Sequence, residues 1–300
     1  MLSGAGVVQA MDGTDSQTSM SGLYQALTYH AGLSGGSWLL GSLIGNGGDA
    51  RVSTLQKDLW TGALDANAIW PTNIFFAPES PQVRTDLEAK QNAGFDPTIP
   101  DAWGRFLSYQ LIRGADGGAG LRMSNVLDIK DFNAAGIPFP IITALAKTGG
   151  ISGDSCDAVL DSPQFEFTPY ESGSWDSGVA GFTPTAYLGT EVSNGSPAGG
   201  KCVQNFDNLG YIFGASSARF GESCGLTQIG LLGVFLQAFT PFATDRVSQQ
   251  ETGQDPGRRN LYNAITNPFK GYGASSLVSK DEEIYLVDGG SCKHETYPSP

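Results

Sequence analysis

Leu27-Thr28-Tyr29-His30-Ala31-Gly32-Leu33-Ser34-Gly35-Gly36-Ser37-Trp38 is the stretch on which the reading of this chain turns. A short run suited to a strand leads into Gly-x-Ser-x-Gly, and Trp38-Leu39-Leu40-Gly41-Ser42-Leu43-Ile44 continues as a helix-compatible run. That layout is a nucleophile elbow, a sharp strand-to-helix turn that lifts a serine hydroxyl above a sheet. A turn this tight predicts little room for β-carbons at Gly32 and Gly36, and lets the Gly35 amide approach a reacting carbonyl. The helix that starts there points its positive end at an oxyanion. The same string also fits a glycine-rich turn before a core helix.

Outward from the elbow, the bulk numbers bound the rest. Three hundred residues make one large domain or two small ones, and 40% hydrophobic with 16% charged content describes a packed core. Glycine, at 41 residues, predicts many tight turns and long loops. A net charge of −13 argues against nucleic acid as a partner, and equally against electrostatic adsorption to anionic lipid. The serine reading calls for no metal and no cofactor; Cys156, Cys202, Cys224 and Cys292 are widely spaced and contain no Cys-x-x-Cys pair, so zinc is not expected. Their even number in an acidic, lysine-poor chain fits a secreted protein with up to two disulfides, and Asn194-Gly195-Ser196 is a glycosylation sequon. Met1-Leu2-Ser3-Gly4 carries no signal-peptide pattern, so no signal or anchor is expected within these residues. The apolar run Ile229 to Phe239 is too short and too interrupted to span a bilayer. It reads as a buried helix, with an acyl-chain pocket or a lipid-facing flap as the other readings.

Leu2 to Met11 reads as a small apolar helix packed tightly under a sheet, Asp12 to Ser21 as a polar loop, and Gly22 to Leu27 as a short helix feeding the elbow. From 45 to 133 tryptophans alternate with proline-bearing loops, which predicts a helical insertion covering one side of the sheet. One helix there is clear: Asp101 can cap it, and Trp103, Phe106, Leu107 and Leu111 recur at helical spacing. Ile137 to Leu145 reads as a buried strand whose prolines imply an edge or an irregular start. Phe165 to Thr168, Tyr211 to Gly214 and Ile284 to Val287 complete the predicted strands, and their alternation with helical runs argues for a layered α/β domain.

A serine nucleophile needs a base, and the chain has two histidines. His30, on the incoming strand, should point away from the elbow. His294 follows Asp288 by only six residues, although Ser34, Asp288 and His294 stand in the order of an α/β-hydrolase triad. The stronger candidate is Asp288 acting directly on Ser34. It ends an apolar strand and is followed by Gly289 and Gly290, which let the backbone turn away at a sheet rim. A carboxylate is a weak base in water and gains basicity in an apolar surround. Gly214-Ala215-Ser216-Ser217 offers a second serine after a predicted strand, but it lacks the closing glycine of an elbow.

These residues resemble a family. Gly32 to Trp38, Phe165 to Glu171 with Gly173-Ser174-Trp175, and Tyr285 to Gly290 are similar to the motifs of the fungal phospholipase B (lysophospholipase) family, related to the cytosolic phospholipases and more distantly to patatin. Ala102-Trp103-Gly104-Arg105 and Asn267-Pro268-Phe269 fit the same pattern. The resemblance implies a patatin-like layered sheet with flanking helices and a large cap insertion, forming one catalytic domain over 1–300. It implies hydrolysis of fatty acyl esters of lysophospholipids and phospholipids at a lipid interface, at a secreted or cell-surface location. The implied roles are Ser34 as nucleophile, Asp288 as general base and Gly35 as an oxyanion donor, with Gly36 completing the turn.

Family members carry an upstream strand and a glycine-rich turn ending in an arginine, and continue beyond the position of Gly290. The chain is therefore expected to be incomplete at both ends, with a divergent tail over 291–300, and loss of an oxyanion donor would lower the rate roughly 10²–10³-fold. Two other functions remain open at this point: a Ser–Asp–His esterase using His294, and an inactive lipid-binding surface glycoprotein.

Overall fold

The computed structural model describes residues 1–47, 50–61, 80–134, 136–147, 162–193, 195–220 and 259–291. Its centre is β2 (Phe139–Lys147), which is paired on both flanks. On one flank lies β3 (Gln164–Phe167), followed outward by β4 (Glu171–Ser174) and β5 (Gly181–Pro184), all antiparallel. On the other flank two strands share the same edge. β1 (Tyr29–Leu33) runs parallel to β2 and covers Phe139 to Thr143, and β9 (Glu283–Asp288) runs antiparallel and covers Ala144 to Lys147. β8 (Asn263–Thr266) pairs outside β9. Among the described residues the sheet has seven strands, and a separate hairpin is formed by β6 (Val192–Ser193) and β7 (Ser196–Pro197).

The proline-bearing strand is thus the central one, not an edge. Its prolines are tolerated because pairing with β3 starts only at Ile142, so Pro138 and Pro140 lie where one flank has no ladder to supply.

Helices pack on this sheet. α3 (Gly35–Gly45) follows β1 directly. α8 (Leu209–Ser217) lies against β2, β9 and α3, with every residue buried. The sequence reading placed a strand at Tyr211 to Gly214, and the structure makes it part of this helix. A short apolar run buried on all sides has no periodicity to separate the two. The Asn208 side chain decides it, accepting the Gly210 N–H at 2.8 Å as an N-cap.

α6 (Ile99–Leu111) packs across α8 and is buried everywhere except Tyr109 and Gln110. Its cap is Thr98. Asp101, expected as the cap, is the third helical residue, and its Oδ2 accepts the Thr98 N–H at 2.7 Å in a capping box. Among the described residues of the 45–133 region, α4 (Val52–Leu55, continuing as a π-turn over Gln56–Trp60), α5 (Ser80–Asn92), a 3-10 turn (Met123–Asp128) and α7 (Lys130–Asn133) are also helical. Trp60 and Trp103 are core residues there, and Trp70 lies outside the described residues.

α1 (Leu2–Met11) and α2 (Leu23–Ala26) form as expected, but α1 is not packed tightly beneath the sheet. It rests on α3 and α4 through Ala5 and Val8, and Leu2 and Val7 are exposed. Cys202 is exposed and free; Cys156, Cys224 and Cys292 lie outside the described residues, as does Asn194 of the sequon. No helix among the described residues is long and apolar enough to cross a membrane, and the Ile229 to Phe239 run is not described.

Candidate active site

The strand arrangement places the two candidate residues together. β1 and β9 run towards each other along the same edge of β2 and stop at consecutive rungs, Leu33 opposite Thr143 and Asp288 opposite Ala144. Ser34 follows the first stop and Asp288 is the second. Their side chains meet: Ser34 Oγ donates to Asp288 Oδ2 at 2.7 Å, across 254 positions of sequence. The sequence reading put this meeting at the rim of an open sheet. It occurs instead at a head-on junction inside the sheet edge.

The elbow has the backbone that its name requires. Ser34 sits at φ 51°, ψ −126°, in a region L-residues rarely occupy, which costs roughly 1–3 kcal/mol and persists only where surrounding bonds hold it. Its N–H donates to the Ser216 carbonyl at 3.1 Å, and its carbonyl accepts the Ser37 hydroxyl at 2.6 Å. A β-carbon at Gly32 would lie 2.7 Å from the Gly36 carbonyl oxygen, so glycine is required there. The same expectation fails at Gly36, where a β-carbon would meet nothing within 4 Å. Gly35 and Gly36 open α3, and helix geometry leaves their amides without an intrahelical acceptor.

Asp288 is 2% exposed, while Ser34 is half-buried and reaches solvent. Besides the serine hydroxyl, the carboxylate accepts the Gly290 N–H through Oδ1 at 2.7 Å. The Asp288 N–H donates to the Ala218 carbonyl at 2.9 Å, beyond the C-terminus of α8. Gly289 has to be glycine: a β-carbon would sit 2.9 Å from Leu33 Cβ and 3.0 Å from the Thr143 carbonyl oxygen.

His30 is occupied elsewhere. Its Nδ1 is 3.0 Å from the Tyr24 hydroxyl. Burial and then the Asp12 charge raise the Tyr24 pKa well above the usual phenol value, so the hydroxyl keeps its proton. Burial lowers the His30 pKa below its ordinary value of 6.5. The unfolded chain therefore binds more protons than the folded one at acid pH. Stability contributed by neutral His30 is fully present above 6.5 and declines as pH falls through that value, levelling off below the folded pKa. Urea melts of wild type and His30→Gln at pH about 5.5 and about 7.5 should show a smaller acid loss in the variant. Equal losses would contradict this account of the pair.

His294 lies outside the described residues. Among the described residues no group of three or more His, Cys, Asp or Glu side chains could hold a metal. A cavity of about 460 Å³ between α5, α6 and the 203–211 segment is lined by Lys90, Phe95, Asp101, Arg105, Phe206 and Tyr211, and contains neither Ser34 nor Asp288. Asn267, quoted above among the family motifs, is a turn staple: its Nδ2 holds the Val278 and Asp281 carbonyls, and its Oδ1 accepts the Phe269 N–H.

The family model of the lysophospholipase catalytic domain matches residues 1–298. The chain belongs to this family. Among similar lysophospholipase sequences, that of Kluyveromyces lactis is 36% identical over 97% of this chain and 46% of its own length. Probable lysophospholipase 5 of Schizosaccharomyces pombe is 36% identical, and lysophospholipase 1 of Candida albicans 34%, each over 97% of this chain, covering 46% and 47% of the relative. This lysophospholipase-family chain thus spans about half the length of those relatives. The structure of human GIVD cytosolic phospholipase A2 superposes with a TM-score of 0.62 at 17% identity, covering 95% of this chain and 40% of that one. That likeness establishes the fold, the layered patatin-like α/β architecture expected from the sequence.

Proposed function

We propose that this chain hydrolyses fatty acyl esters of lysophospholipids and phospholipids through Ser34 and Asp288. The observation that carries the reading is the 2.7 Å hydrogen bond from the elbow hydroxyl to a buried carboxylate. The hydroxyl has one proton to give, and its acceptor is an acid, not an imidazole.

In the first step Ser34 Oγ attacks the acyl carbonyl carbon while Asp288 Oδ2 takes its proton. As the tetrahedral intermediate collapses, Asp288 passes that proton to the departing glycerol oxygen, leaving an acyl-serine. Water then attacks the acyl-serine, Asp288 accepts a proton from it, and the proton returns to Ser34 as the fatty acid leaves. The Gly35 and Gly36 amides at the start of α3 are the donors we assign to the developing oxyanion. Asp288 is buried and Ser34 is half-buried, an arrangement in which ester reaches the alcohol while the base stays shielded. The family resemblance, the acidic composition and the sequon support a secreted or cell-surface location for this activity.

Release of fatty acid from a lysophosphatidylcholine in mixed micelles tests the reading. Wild type is expected to turn over and Ser34→Ala to fall to the uncatalysed background. Turnover that survives Ser34→Ala would overturn it.

A further inference from the structure

We propose that Ser216, one turn beyond the middle of α8, is a positioning residue whose hydroxyl takes the place of a missing rung in the sheet and thereby holds the nucleophile in its strained backbone. The proposal rests on the reading of Ser34 as nucleophile, and it concerns a serine that sequence alone presents only as an incomplete elbow.

The junction between β1 and β9 interrupts the ladder along β2. Past Leu33 the chain leaves the sheet because Ser34 adopts φ 51°, so its N–H can no longer pair directly with the β2 edge. The Ser216 hydroxyl bridges the gap. Its Oγ accepts the Ser34 N–H at 3.0 Å and donates to the Thr143 carbonyl at 2.7 Å. One fully buried hydroxyl is therefore inserted between an amide and a carbonyl that would otherwise lack that link.

The same residue's carbonyl accepts a second bond from the Ser34 N–H, at 3.1 Å, and the Gly289 N–H at 3.1 Å. With the Asp288 N–H on the Ala218 carbonyl, both reacting segments hang from the end of one helix. Any residue at 216 supplies the carbonyl. Only a hydroxyl with donor and acceptor capacity supplies the bridge. Its loss lets the elbow relax, and small displacements of a reacting atom lower rates steeply.

Ser217 is the internal control. It is also buried, but its hydroxyl donates to the Phe213 carbonyl and accepts from Trp103 Nε1, touching neither Ser34 nor Asp288. The experiment compares Ser216→Ala with Ser217→Ala on lysophosphatidylcholine hydrolysis, together with hydrogen exchange of the Ser34 amide followed by NMR. Ser216→Ala is expected to lower kcat about 10–100-fold with KM within about twofold of wild type, and to speed Ser34 exchange about tenfold or more. Ser217→Ala is expected to leave kcat and Ser34 exchange near wild type. A kcat for Ser216→Ala within about twofold of Ser217→Ala, or unchanged Ser34 exchange, overturns the proposal. If wild type shows no hydrolysis, the nucleophile reading fails separately and the exchange result alone decides whether the hydroxyl holds the elbow.

Discussion

Asp288→Asn is expected to lower kcat for lysophospholipid hydrolysis by about 10²–10⁴-fold while the protein stays folded. The substitution keeps the size of the side chain and its Oδ1 acceptor for the Gly290 N–H. It changes one property that matters: the atom facing Ser34 Oγ can no longer take up a proton on the way to the transition state. KM should change little, because the acid makes its hydrogen bond to the enzyme's own serine and not to the lipid. Circular dichroism and Tm separate this outcome from unfolding. A kcat within about threefold of wild type would mean that Asp288 only shapes the turn that Gly289 and Gly290 form.

The second large effect is on stability. Gly104→Ala should lower it by about 3 kcal/mol, a Tm drop of roughly 5–10 °C. A β-carbon at Gly104 would fall 1.9 Å from the Gly210 carbonyl oxygen, so α6 and α8 would have to separate. Backbone cannot yield as a side-chain tip does, and α8 also packs on β2, β9 and α3. Gly6→Ala is the matched control. It lies on the exposed side of α1, where a β-carbon meets nothing within 4 Å, and helix propensity predicts a neutral or slightly stabilising change. Equal melting temperatures for the two variants would contradict this view of the α6–α8 contact.

How much of this was legible in advance depended on how local the signal was. The elbow was readable because its demands fall within five residues: Gly32 has to clear the Gly36 carbonyl, and a helix has to follow. Asp288 was readable because an apolar strand ending in Asp-Gly-Gly stands out in composition. Their pairing was expected at a sheet rim, but the place where they meet was not readable, since it depends on β1 and β9 converging on one edge of β2, a property of pairing that neither strand carries in itself. Tyr211 to Gly214 was misread for a related reason: burial on every side erases the alternation that marks a strand or a helix. Ser216 showed in the sequence only as part of an incomplete elbow, because the positioning role assigned to it comes from where α8 ends in space. Gly36 shows the opposite error, a glycine credited with a steric demand that its surroundings do not make.

The central claim is that an acid activates an alcohol with no imidazole in between. The most direct measurement is the rate at which a fluorophosphonate ester labels Ser34, followed by peptide mass spectrometry in wild type, His294→Ala, His30→Gln and Asp288→Asn. The account predicts an adduct on Ser34 that forms at wild-type rates in both histidine variants and about 10²-fold or more slowly in Asp288→Asn. Labelling that disappears in His294→Ala and persists in Asp288→Asn would contradict it.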